Sequence, residues 1–362
     1  MRVTAFTKYG ARAASTRQRL LQYIPSLEAA GIEVDCRTLL DSDYVESLAT
    51  GRGYSKARIA RAYLERMREL TVGELGDVIW VYAELFPYLP AGFETLALRK
   101  GRPLIYDFDD AFFHSYDDNP RRLIRALLAG KLEPLLRGAS ACTCGNQYLQ
   151  DYASRFCDNS LVLPTVVDTT LYKPRDPNLH EDGPPIIGWI GSPSTWAYVR
   201  PLLPLLEDLT RAGKARVRIV GAGASAERDQ FPGLDLRDWS EETEVREVQG
   251  MDIGIMPVPG EDRWARGKSG YKLVQYMACG LPVLASPVGV NSDIVHCGRT
   301  GYLVGNIEEW RNKLTSLLKD PVLRLTMGAE GRRRIVDHYS LAVWAPLLAE
   351  IIANVRPRKP GK

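Results

Sequence analysis

The chain has 362 residues, of which 45% are hydrophobic and 25% are charged. This length is enough for two domains of ordinary size, and the composition is that of a soluble globular protein. The formal net charge of +3 gives no general case for nucleic-acid binding, because nucleic-acid binders usually carry a basic patch or a recognisable fold motif.

The cysteines and the N-terminal segment indicate a compartment. The six cysteines lack the paired spacing of a zinc site, so we expect reduced thiols in a cytosolic core. Residues 1–6 already have the pattern of a β-strand rather than of a signal peptide, and no apolar run reaches the length of a transmembrane helix. We therefore expect a cytoplasmic protein.

Strand-like and helix-like segments alternate along the chain, which is typical of parallel sheets covered by helices on both faces. A strand at 3–6 leads through a loop at 8–15 into a helix that ends near residue 30. Further strands are predicted at 33–37, 78–82, 103–106, 139–143 and 160–163. Residues 172–185, rich in proline and charge, predict a linker. A second series of strands follows at 186–190, 217–220, 253–256, 282–285 and 301–304. The order predicts an α/β protein with two Rossmann-like domains in tandem and a cleft between them.

The segment 265–291 predicts a place that holds an anion. It contains a glycine-broken loop with Lys268, a short helix from about 271 to 279, a glycine stop at Gly280 and a buried strand at 282–285. Free backbone N–H groups at 269–272 and the positive end of the helix dipole would face a phosphate, and Lys268 adds a full charge. The alternative is an ordinary helix–strand corner of an α/β domain.

Two further strand ends carry small residues, and ligands of doubly wound sheets gather at the carboxyl ends of strands. The strand at 186–190 runs into a turn in which Gly191 lets a ligand approach the backbone, and Ser194 or Thr195 is placed to cap the next helix. A G-x-G at 221–223 follows the next strand. Ala226 replaces the last glycine of a G-x-G-x-x-G fingerprint, so a nicotinamide dinucleotide is not supported.

These segments resemble the retaining glycosyltransferases of family 4, also named glycosyl transferases group 1, which have the two-domain GT-B fold. The resemblance is strongest over 188–305 and extends more loosely over nearly the whole chain. The motifs that carry it are Gly-Trp-Ile-Gly-Ser-Pro-Ser-Thr (188–195), Trp-Ser-Glu-Glu-Thr-Glu (239–244), Asp-Ile-Gly-Ile-Met-Pro (252–257), the segment 265–291, and the stretches 14–19, 106–110, 145–149 and 164–168. The resemblance implies an acceptor-binding domain at 1–170, a donor domain at 171–340 that faces it across a central cleft, and a C-terminal helix in 341–362 that packs back on the first domain.

The resemblance also implies the reaction. A sugar moves from a nucleoside diphosphate sugar, with UDP or GDP as the first choices, to a hydroxyl of a glycan, a lipid-linked molecule or a small glycoside. The anomeric configuration is retained, neither metal nor cofactor is needed, and the leaving phosphate acts as the base. A glycosidase would instead need two carboxylates at a defined separation. Such an enzyme would serve polysaccharide or glycoconjugate biosynthesis.

The donor loop departs from the family pattern. Many members carry two glutamates eight positions apart, and here Gly267 and Gln275 occupy those positions. Gln275 can still hydrogen-bond a ribose hydroxyl, whereas Gly267 has no side chain to offer. Sugar recognition is therefore expected to come partly from backbone N–H groups around 267–270.

A second departure concerns the cations that neutralise the diphosphate. The usual arginine and lysine after the first strand of the donor domain are absent, because residues 192–196 fill that place. Lys268, helped by Arg266, is our candidate for this charge, and Arg17 or Arg19 of the first domain is a further one. Preorganised N–H groups and a lysine would stabilise the charge that grows on the leaving group, so loss of Lys268 should reduce the rate most. The donor-binding set also contains Gly191, Ser192, Ser269, Gly270, Tyr271 and Lys272.

An acidic cluster closes the predicted strand 103–106. Asp107 is our first candidate to orient the acceptor hydroxyl or steady the oxocarbenium-like centre, with Asp109 and Asp110 behind it. One alternative is a solvated turn in which an aspartate caps the next helix. Another is the D-x-D metal site of single-domain GT-A transferases. Two Rossmann-like halves and a lysine-bearing loop make that metal redundant.

Four more residues complete the predicted site. Trp239 and Ser240 are candidates to pack against the nucleobase, although a tryptophan of the core fits as well. Glu244 is a candidate for the ribose, or a favourable charge in the first turn of a helix. Gly10 lies in the loop at 8–15, which is placed to close over the diphosphate. No histidine is assigned a catalytic role.

Three alternatives remain open from the sequence. Residues 56–68 and 121–137 predict arginine-rich helices that fit either a solvated face or peripheral contact with anionic lipid at the inner face of the membrane, and the second case would favour a lipid-linked acceptor. The missing glutamates are compatible with a nucleotide-sugar binding or scaffold protein that has lost catalysis. A sugar-nucleotide epimerase of similar fold would need acid–base carboxylates and a histidine near the sugar, and the donor loop offers neither.

Overall fold

A computed structural model of the protein describes residues 1–50, 52–176 and 183–358. Its contacts divide the chain into two compact units. The first unit comprises Met1–Thr165, Arg266–Ser269 and Leu341–Lys362, and the second comprises Val166–Ala265 and Gly270–Ser340. Part of the predicted linker, 177–182, lies outside the described residues.

The first unit is built on a parallel sheet of six strands in the order β2-β1-β3-β4-β5-β6. The strands are β1 (Arg2–Tyr9), β2 (Glu33–Leu40), β3 (Val78–Tyr82), β4 (Leu104–Phe108), β5 (Ala141–Cys144) and β6 (Ser160–Val162). β3 and β4 are buried along their whole length, as expected for strands covered by helices on both faces.

The helices of the first unit up to β6 are α1 (Ala14–Arg19), α2 (Ile24–Ala29), α3 (Ser42–Thr50), α4 (Lys56–Val72), α5 (Ala91–Glu94), α6 (His114–Asp117), α7 (Arg122–Leu128), α8 (Glu133–Gly138) and α9 (Gln147–Ala153). The single helix predicted to end near residue 30 is wrong, because Pro25 lies in the first turn of α2, where its missing N–H is tolerated and where it starts a new helix. The arginine-rich stretch 121–137 likewise forms two helices, and Pro134 opens the second.

The second unit contains another parallel sheet of six strands, in the order β12-β11-β10-β7-β8-β9. The strands are β7 (Ile186–Ile190), β8 (Arg216–Val220), β9 (Leu234–Arg237), β10 (Ile253–Met256), β11 (Val283–Ala285) and β12 (Gly301–Leu303). Counted from β7, this is the Rossmann order 3-2-1-4-5-6. β9 was not predicted, because Leu-Asp-Leu-Arg is short and only half-buried.

The helices of the second unit are α10 (Pro193–Trp196), α11 (Leu203–Arg211), α12 (Glu244–Gln249), α13 (Arg263–Arg266), α14 (Tyr271–Ala278), α15 (Asn291–Ile294), α16 (Ile307–Lys319) and α17 (Pro321–His338). The last residue of α13 groups with the first unit. A final helix, α18 (Leu341–Asn354), belongs to the first unit, where it packs on α2 and on the 3₁₀ turn Leu21–Tyr23.

Two properties expected from the sequence concern cysteines and membrane spans. All six cysteines are free; four are buried, Cys36 is half-buried and Cys297 is exposed. No helix in the described part of the chain combines the length and the apolar character needed to cross a bilayer.

Candidate functional site

The loop that carries Lys268 joins α13 to α14 and ends at a glycine with a left-handed backbone. Gly270 has φ of 67° and forms the N-cap of α14. A Cβ at this position would lie 2.4 Å from Cδ1 of Ile294, so a side chain fits neither the conformation nor the space. Glycine therefore lets the chain turn into α14 immediately after Lys268 and Ser269, which are both half-buried.

The same loop is held by segments that follow β4 and β5. A Cβ at Gly267 would lie 2.5 Å from Cβ of Ala111 and 2.8 Å from its backbone nitrogen. The side chain of Asn146 donates a hydrogen bond of 3.0 Å to the carbonyl oxygen of Lys268. Because Ala111 leaves no room for a methyl group at Gly267, the family glutamate is sterically excluded from this position. Arg266, by contrast, is exposed.

Four of the predicted donor-binding residues, Trp239, Glu244, Tyr271 and Gln275, come together in the second unit. Trp239 donates its indole N–H to Oε2 of Glu244 at 2.5 Å, and the amide of Gln275 donates to Oε1 of the same carboxylate at 2.7 Å. Tyr172 donates a short hydrogen bond to Oε1 of Glu244, and the hydroxyls of Tyr172 and Tyr271 lie 3.4 Å apart. We name these five residues the Glu244 cluster. Burial and the adjacent Glu244 carboxylate raise the pKa of Tyr172, so its phenol stays protonated.

Tyr172 is the member of the Glu244 cluster that sequence reasoning missed. It stands at the start of the predicted linker, yet it is 8% exposed and part of the core of the second unit. The sequence signal that could have identified Tyr172 is an aromatic residue next to a proline-rich, charged stretch. Ser240, predicted with Trp239, has its hydroxyl 2.9 Å from that of Thr243 and accepts the N–H of Thr243 at 3.3 Å, which closes a local turn before α12.

The turn after β7 brings Gly191 and Lys272 together. A Cβ at Gly191 would lie 2.9 Å from Cε of Lys272 and 2.4 Å from the ring of Trp189. The ammonium of Lys272 lies 5.5 Å from the centroid of that ring. Ser192 caps α10 in a capping box with Thr195. Lys272 therefore supplies a cation at the strand end where the sequence lacks the family's arginine and lysine.

Asp107 does not lie where the sequence analysis placed it. β4 extends to Phe108, so Asp107 is a strand residue paired with Tyr82, and it is fully buried. Its carboxylate is bound by the guanidinium of Arg19 and by the hydroxyl of Thr143 at 2.6 Å. Arg19 is also fully buried and donates to the carbonyl oxygen of Leu163 at 2.6 Å. The predicted end of this strand at residue 106 is thus corrected, and Arg19, a candidate for the diphosphate, is instead found in a buried ion pair with Asp107.

The two following aspartates differ in exposure. Asp109 is 8% exposed, and its oxygens accept from the hydroxyls of Tyr82 at 2.7 Å and Thr165 at 3.3 Å. Burial raises the pKa of this carboxyl. Asp110 is half-buried and is the most accessible member of the predicted trio. The D-x-D pair, Asp107 and Asp109, therefore has its carboxylates bound by protein donors rather than open to a metal.

The loop after β1 holds the remaining predicted residues. Gly10 accepts a turn hydrogen bond from the N–H of Ala13 at 3.1 Å, and a Cβ at Gly10 would make only ordinary contacts. Arg17 is half-buried and donates to the carbonyl oxygen of Ala11 at 2.9 Å. Within the described ranges, no three His, Cys, Asp or Glu side chains are grouped as metal ligands.

Two surface cavities lie away from all of these residues. One, of about 460 Å³, is lined by Met1, Arg2 and Glu33 at the amino ends of β1 and β2. The other, of about 420 Å³, lies along β8 and β9. Neither contains a predicted site residue.

Similarity to known proteins agrees with this geometry. Residues 184–320 match the model of the family described as Glycosyl transferases group 1. Sucrose-phosphate synthase from Thermosynechococcus elongatus is 14% identical, with a TM-score of 0.72 over 97% of this chain and 98% of that chain. HepE from Anabaena, in complex with UDP and glucose, is 14% identical, with a TM-score of 0.72 over 98% of this chain and 99% of that chain. The fold is GT-B.

Two curated relatives each share a short stretch with this GT-B chain. D-inositol 3-phosphate glycosyltransferase from Gordonia bronchialis is 42% identical over 65 residues, 17% of this chain and 14% of that protein. N-acetyl-alpha-D-glucosaminyl L-malate synthase from Bacillus anthracis is 33% identical over 72 residues, 19% of each chain. The chain thus matches less than a fifth of the length of either relative.

Proposed function

We propose that this protein is a retaining glycosyltransferase that moves a sugar from a nucleoside diphosphate sugar to a hydroxyl acceptor. The observation that carries the proposal is the set of groups that follows β10 and β7. Lys268 precedes the N-terminus of α14, and Lys272 lies in its first turn beside Gly191. A helix N-terminus with two lysines suits a diphosphate, because backbone N–H groups, the helix dipole and both ammonium groups favour negative charge.

The Glu244 cluster supports the proposal that the second unit binds the nucleoside of the donor. Its carboxylate, amide and phenol groups lie beside the indole of Trp239, which combines an aromatic surface with hydrogen-bonding groups. HepE was solved with UDP and glucose, and the trehalose-6-phosphate protein from E. coli with UDP-2-fluoro glucose. UDP is accordingly our first choice of nucleotide, with GDP second.

The reaction balances without a metal or a covalent intermediate. The bond between the anomeric carbon and the phosphate oxygen breaks, and its electron pair leaves with the nucleoside diphosphate. The acceptor hydroxyl forms the new bond on the same face and gives its proton to the departing phosphate oxygen. The lysines and N–H groups stabilise the charge that develops on the leaving group. Because Asp107 and Asp109 are bound by protein donors, Asp110 is the aspartate we assign to the acceptor.

The experiment compares Lys268→Ala with Lys319→Ala, which removes an exposed lysine at the end of α16. Thermal shifts are measured with UDP, GDP, ADP, dTDP and CMP, because binding to the native state raises Tm by mass action. We expect a selective shift with one diphosphate that Lys268→Ala loses and Lys319→Ala keeps. With the matching sugar nucleotide, Lys268→Ala should reduce donor turnover by about 10²–10³-fold.

Other outcomes would favour the competing functions. Nucleotide binding without any donor turnover would make the scaffold reading the better one. Conversion of the donor into its epimer, without release of the nucleoside diphosphate, would identify an epimerase. Proton NMR of the transferred sugar checks retention, because an inverted anomeric signal contradicts that part of the proposal.

We also propose that the protein contacts anionic membrane through α7. Leu123 and Leu127 on this helix are 70% and 68% exposed, and Arg121 and Arg122 beside them are exposed as well. Exposed leucines next to arginines suit the interface of an anionic bilayer, where the leucines leave water and the arginines meet headgroups. A lipid-linked acceptor would be met at such a surface.

A further inference from the structure

One buried asparagine joins the start of α9 to the loop that carries Lys268. Asn146 follows β5 and is 3% exposed. Its side-chain amide uses both of its ends. Oδ1 accepts the N–H of Leu149 at 3.0 Å, which caps α9, and Nδ2 donates to the carbonyl oxygen of Lys268 at 3.0 Å. The second bond spans 122 positions of sequence, and the loop residues Arg266–Ser269 group with the first unit.

The residue before Asn146 fixes it to the sheet. Gly145 donates its N–H to the carbonyl oxygen of Phe108, the last residue of β4, at 2.9 Å. A Cβ at Gly145 would lie 2.8 Å from Cα of Asp109, so a side chain does not fit there. The helix that Asn146 caps packs in turn on β5 and β6. The amide is therefore held on rigid elements, as is needed for a group that orients another.

The bond from Asn146 sets the direction of one peptide group. In a trans peptide the C=O and the following N–H point in opposite directions, and no peptide bond in the described part of the chain is cis. The carbonyl of Lys268 faces Asn146, so the N–H of Ser269 points away from Asn146. Among the residues that the structure describes, this N–H has no acceptor. It is one of the N–H groups that the proposed function assigns to the diphosphate.

The loop itself does little to fix this peptide group. Gly267 and Gly270 flank it, and glycine restricts the backbone less than any other residue. A rotated peptide would turn the carbonyl oxygen, which carries partial negative charge, to the side where the N–H of Ser269 now lies. Rotation would also leave the buried amide of Asn146 with an unpaired donor, which is costly. The hydrogen bond thus favours the orientation that suits an anion.

We propose that Asn146 is a positioning residue of the donor loop, which holds the Lys268–Ser269 peptide so that the N–H of Ser269 faces the diphosphate. The assignment rests on the proposed glycosyltransferase function. Asn146 acts through the peptide and does not itself contact the donor. An N–H fixed in advance stabilises the charge that grows on the leaving group, so its loss should lower kcat more than it changes KM.

Two substitutions separate this role from the helix cap. Asn146→Asp keeps the cap, because aspartate and asparagine cap helices equally well, but its carboxylate has no N–H to donate and repels the carbonyl oxygen of Lys268. Asn146→Ser also keeps a capping oxygen, carries no charge and is too short to reach the loop. The second variant therefore covers the case in which a buried carboxylate prevents folding, and thermal unfolding checks both.

The matched control is Asn306→Asp. Asn306 is exposed, caps α16 in the same way and accepts the N–H of Glu309 at 2.9 Å. It has no part in the donor site. This variant therefore makes the same chemical change at another helix N-terminus.

Steady-state kinetics with the sugar nucleotide give the first readout. We expect kcat to fall about 10–100-fold in both Asn146 variants, less than the loss for a donor removed outright, because the peptide still samples the productive orientation. KM for the donor should change less than about 3-fold. Asn306→Asp should keep both constants. An unchanged kcat in the Asn146 variants, or a rise in KM alone, would overturn the proposal.

Binding of UDP measures the same interaction without turnover. Free UDP carries on its outer phosphate the charge that the leaving group gains as the bond breaks, so the N–H of Ser269 should favour UDP over the intact donor. Isothermal titration should show that both Asn146 variants bind UDP about 10-fold more weakly than the wild type, the effect of one hydrogen bond to a charged group, and that Asn306→Asp binds it equally well. GDP takes the place of UDP if only GDP shifts Tm. Equal affinity in the Asn146 variants and the wild type would contradict the assignment.

The two proposals fail separately. If the wild type binds the diphosphate and turns over no donor, the transferase is rejected, and the diphosphate affinities still decide the role of Asn146. If the wild type turns over donor and the Asn146 variants match it, the positioning role alone is rejected. A wild type that binds neither UDP nor GDP would overturn the positioning role as well, because Ser269 would then have no phosphate to face.

Discussion

Gly267 is the residue at which the donor loop departs most from the family pattern, and the structure gives the reason. The space that a side chain would need is filled by Ala111. We predict that Gly267→Ala destabilises the protein by about 1–3 kcal/mol, the range for a forced steric contact, and lowers donor turnover because Lys268 must shift with the loop. Urea unfolding and donor turnover measure the two effects.

The control for this substitution is Gly92→Ala. Gly92 has no atom within 4 Å of an added Cβ and no positive φ, so the change should be nearly neutral. Gly267→Glu introduces the glutamate that many family members carry at this position. Because its side chain is larger, it should lower stability and donor turnover more than Gly267→Ala does. An active, stable Gly267→Glu protein would show that the loop opens away from Ala111 during turnover.

The buried carboxyl of Asp109 should make the stability of the protein depend on pH. Burial raises the pKa of its carboxyl in the folded state above the unfolded value of about 3.9. The folded protein therefore holds the proton more tightly, and this contribution to stability is present at low pH and is lost as the pH rises through the folded-state pKa. Asp109→Asn cannot ionise and can keep the hydrogen bonds to Tyr82 and Thr165.

We predict that the Tm of Asp109→Asn, relative to the wild type, increases between pH 4 and pH 7. Thermal unfolding at a series of pH values measures this difference. Asp118→Asn, which changes an exposed carboxyl nearby, should show no such trend. A relative Tm that falls as the pH rises would mean that the buried carboxylate is stabilised in its charged form.

At the level of elements, the sequence predicts most strands correctly but misplaces several of their ends. Apolar runs predicted the strands of both sheets except β9, and the α/β fold expected from them is confirmed. The GT-B fold that the family resemblance implied is confirmed as well. Asp107 looked like a turn residue because it is polar, yet it continues β4 with Arg19 and Thr143 as buried partners. Pairing across 88 positions of sequence leaves no local pattern, so such a carboxylate is mistaken for a surface group.

The segment 265–291, by contrast, is predicted well from the sequence. The glycine stop, the helix and the strand of 265–291 are local features, and α14 and β11 match them closely. The Glu244 cluster combines local and distant residues: Trp239 and Glu244 are neighbours in sequence, whereas Tyr172 reaches them from 72 positions away. The roles of Lys268, Gln275 and the other site residues remain predictions for the experiments above.

The helix α7 provides a prediction at this scale. We predict that the double substitution Leu123→Ser and Leu127→Ser weakens binding to vesicles of phosphatidylcholine and phosphatidylglycerol by about 10-fold or more, since each leucine loses favourable transfer out of water. Vesicle co-flotation measures the bound fraction, and vesicles of phosphatidylcholine alone should bind little.

The matched control lies on α17, where Val322 and Leu325 are 70% and 75% exposed. Val322→Ser with Leu325→Ser removes similar exposed apolar surface from a different helix and should leave vesicle binding unchanged. Equal losses in both double variants, or none in the α7 variant, would contradict membrane contact through α7.

On the scale of the whole molecule, the first unit is completed by the last helix of the chain. α18 follows the entire second unit in sequence, yet it packs on α2 and on the 3₁₀ turn before it. The apolar face of α2 therefore stays uncovered during synthesis until residues near 354 have been made, and the first unit cannot reach its final core before then. The end of the chain is part of the fold of its beginning.

This arrangement predicts which other segment loses stability when a buried residue of α18 is replaced. Leu348 is fully buried, and Leu348→Ala should cost about 2–5 kcal/mol, the range for a buried leucine that leaves a cavity. Hydrogen-exchange mass spectrometry should show faster exchange in 14–29, more than 300 positions earlier in sequence, as well as in α18 itself. Leu347→Ala, on the same helix but 42% exposed, is the control and should leave exchange in 14–29 unchanged. A helix that covers another cannot lose its packing without exposing its partner, so faster exchange in α18 alone would contradict the prediction. That result would mean that α2 is stabilised by the rest of the first unit rather than by α18.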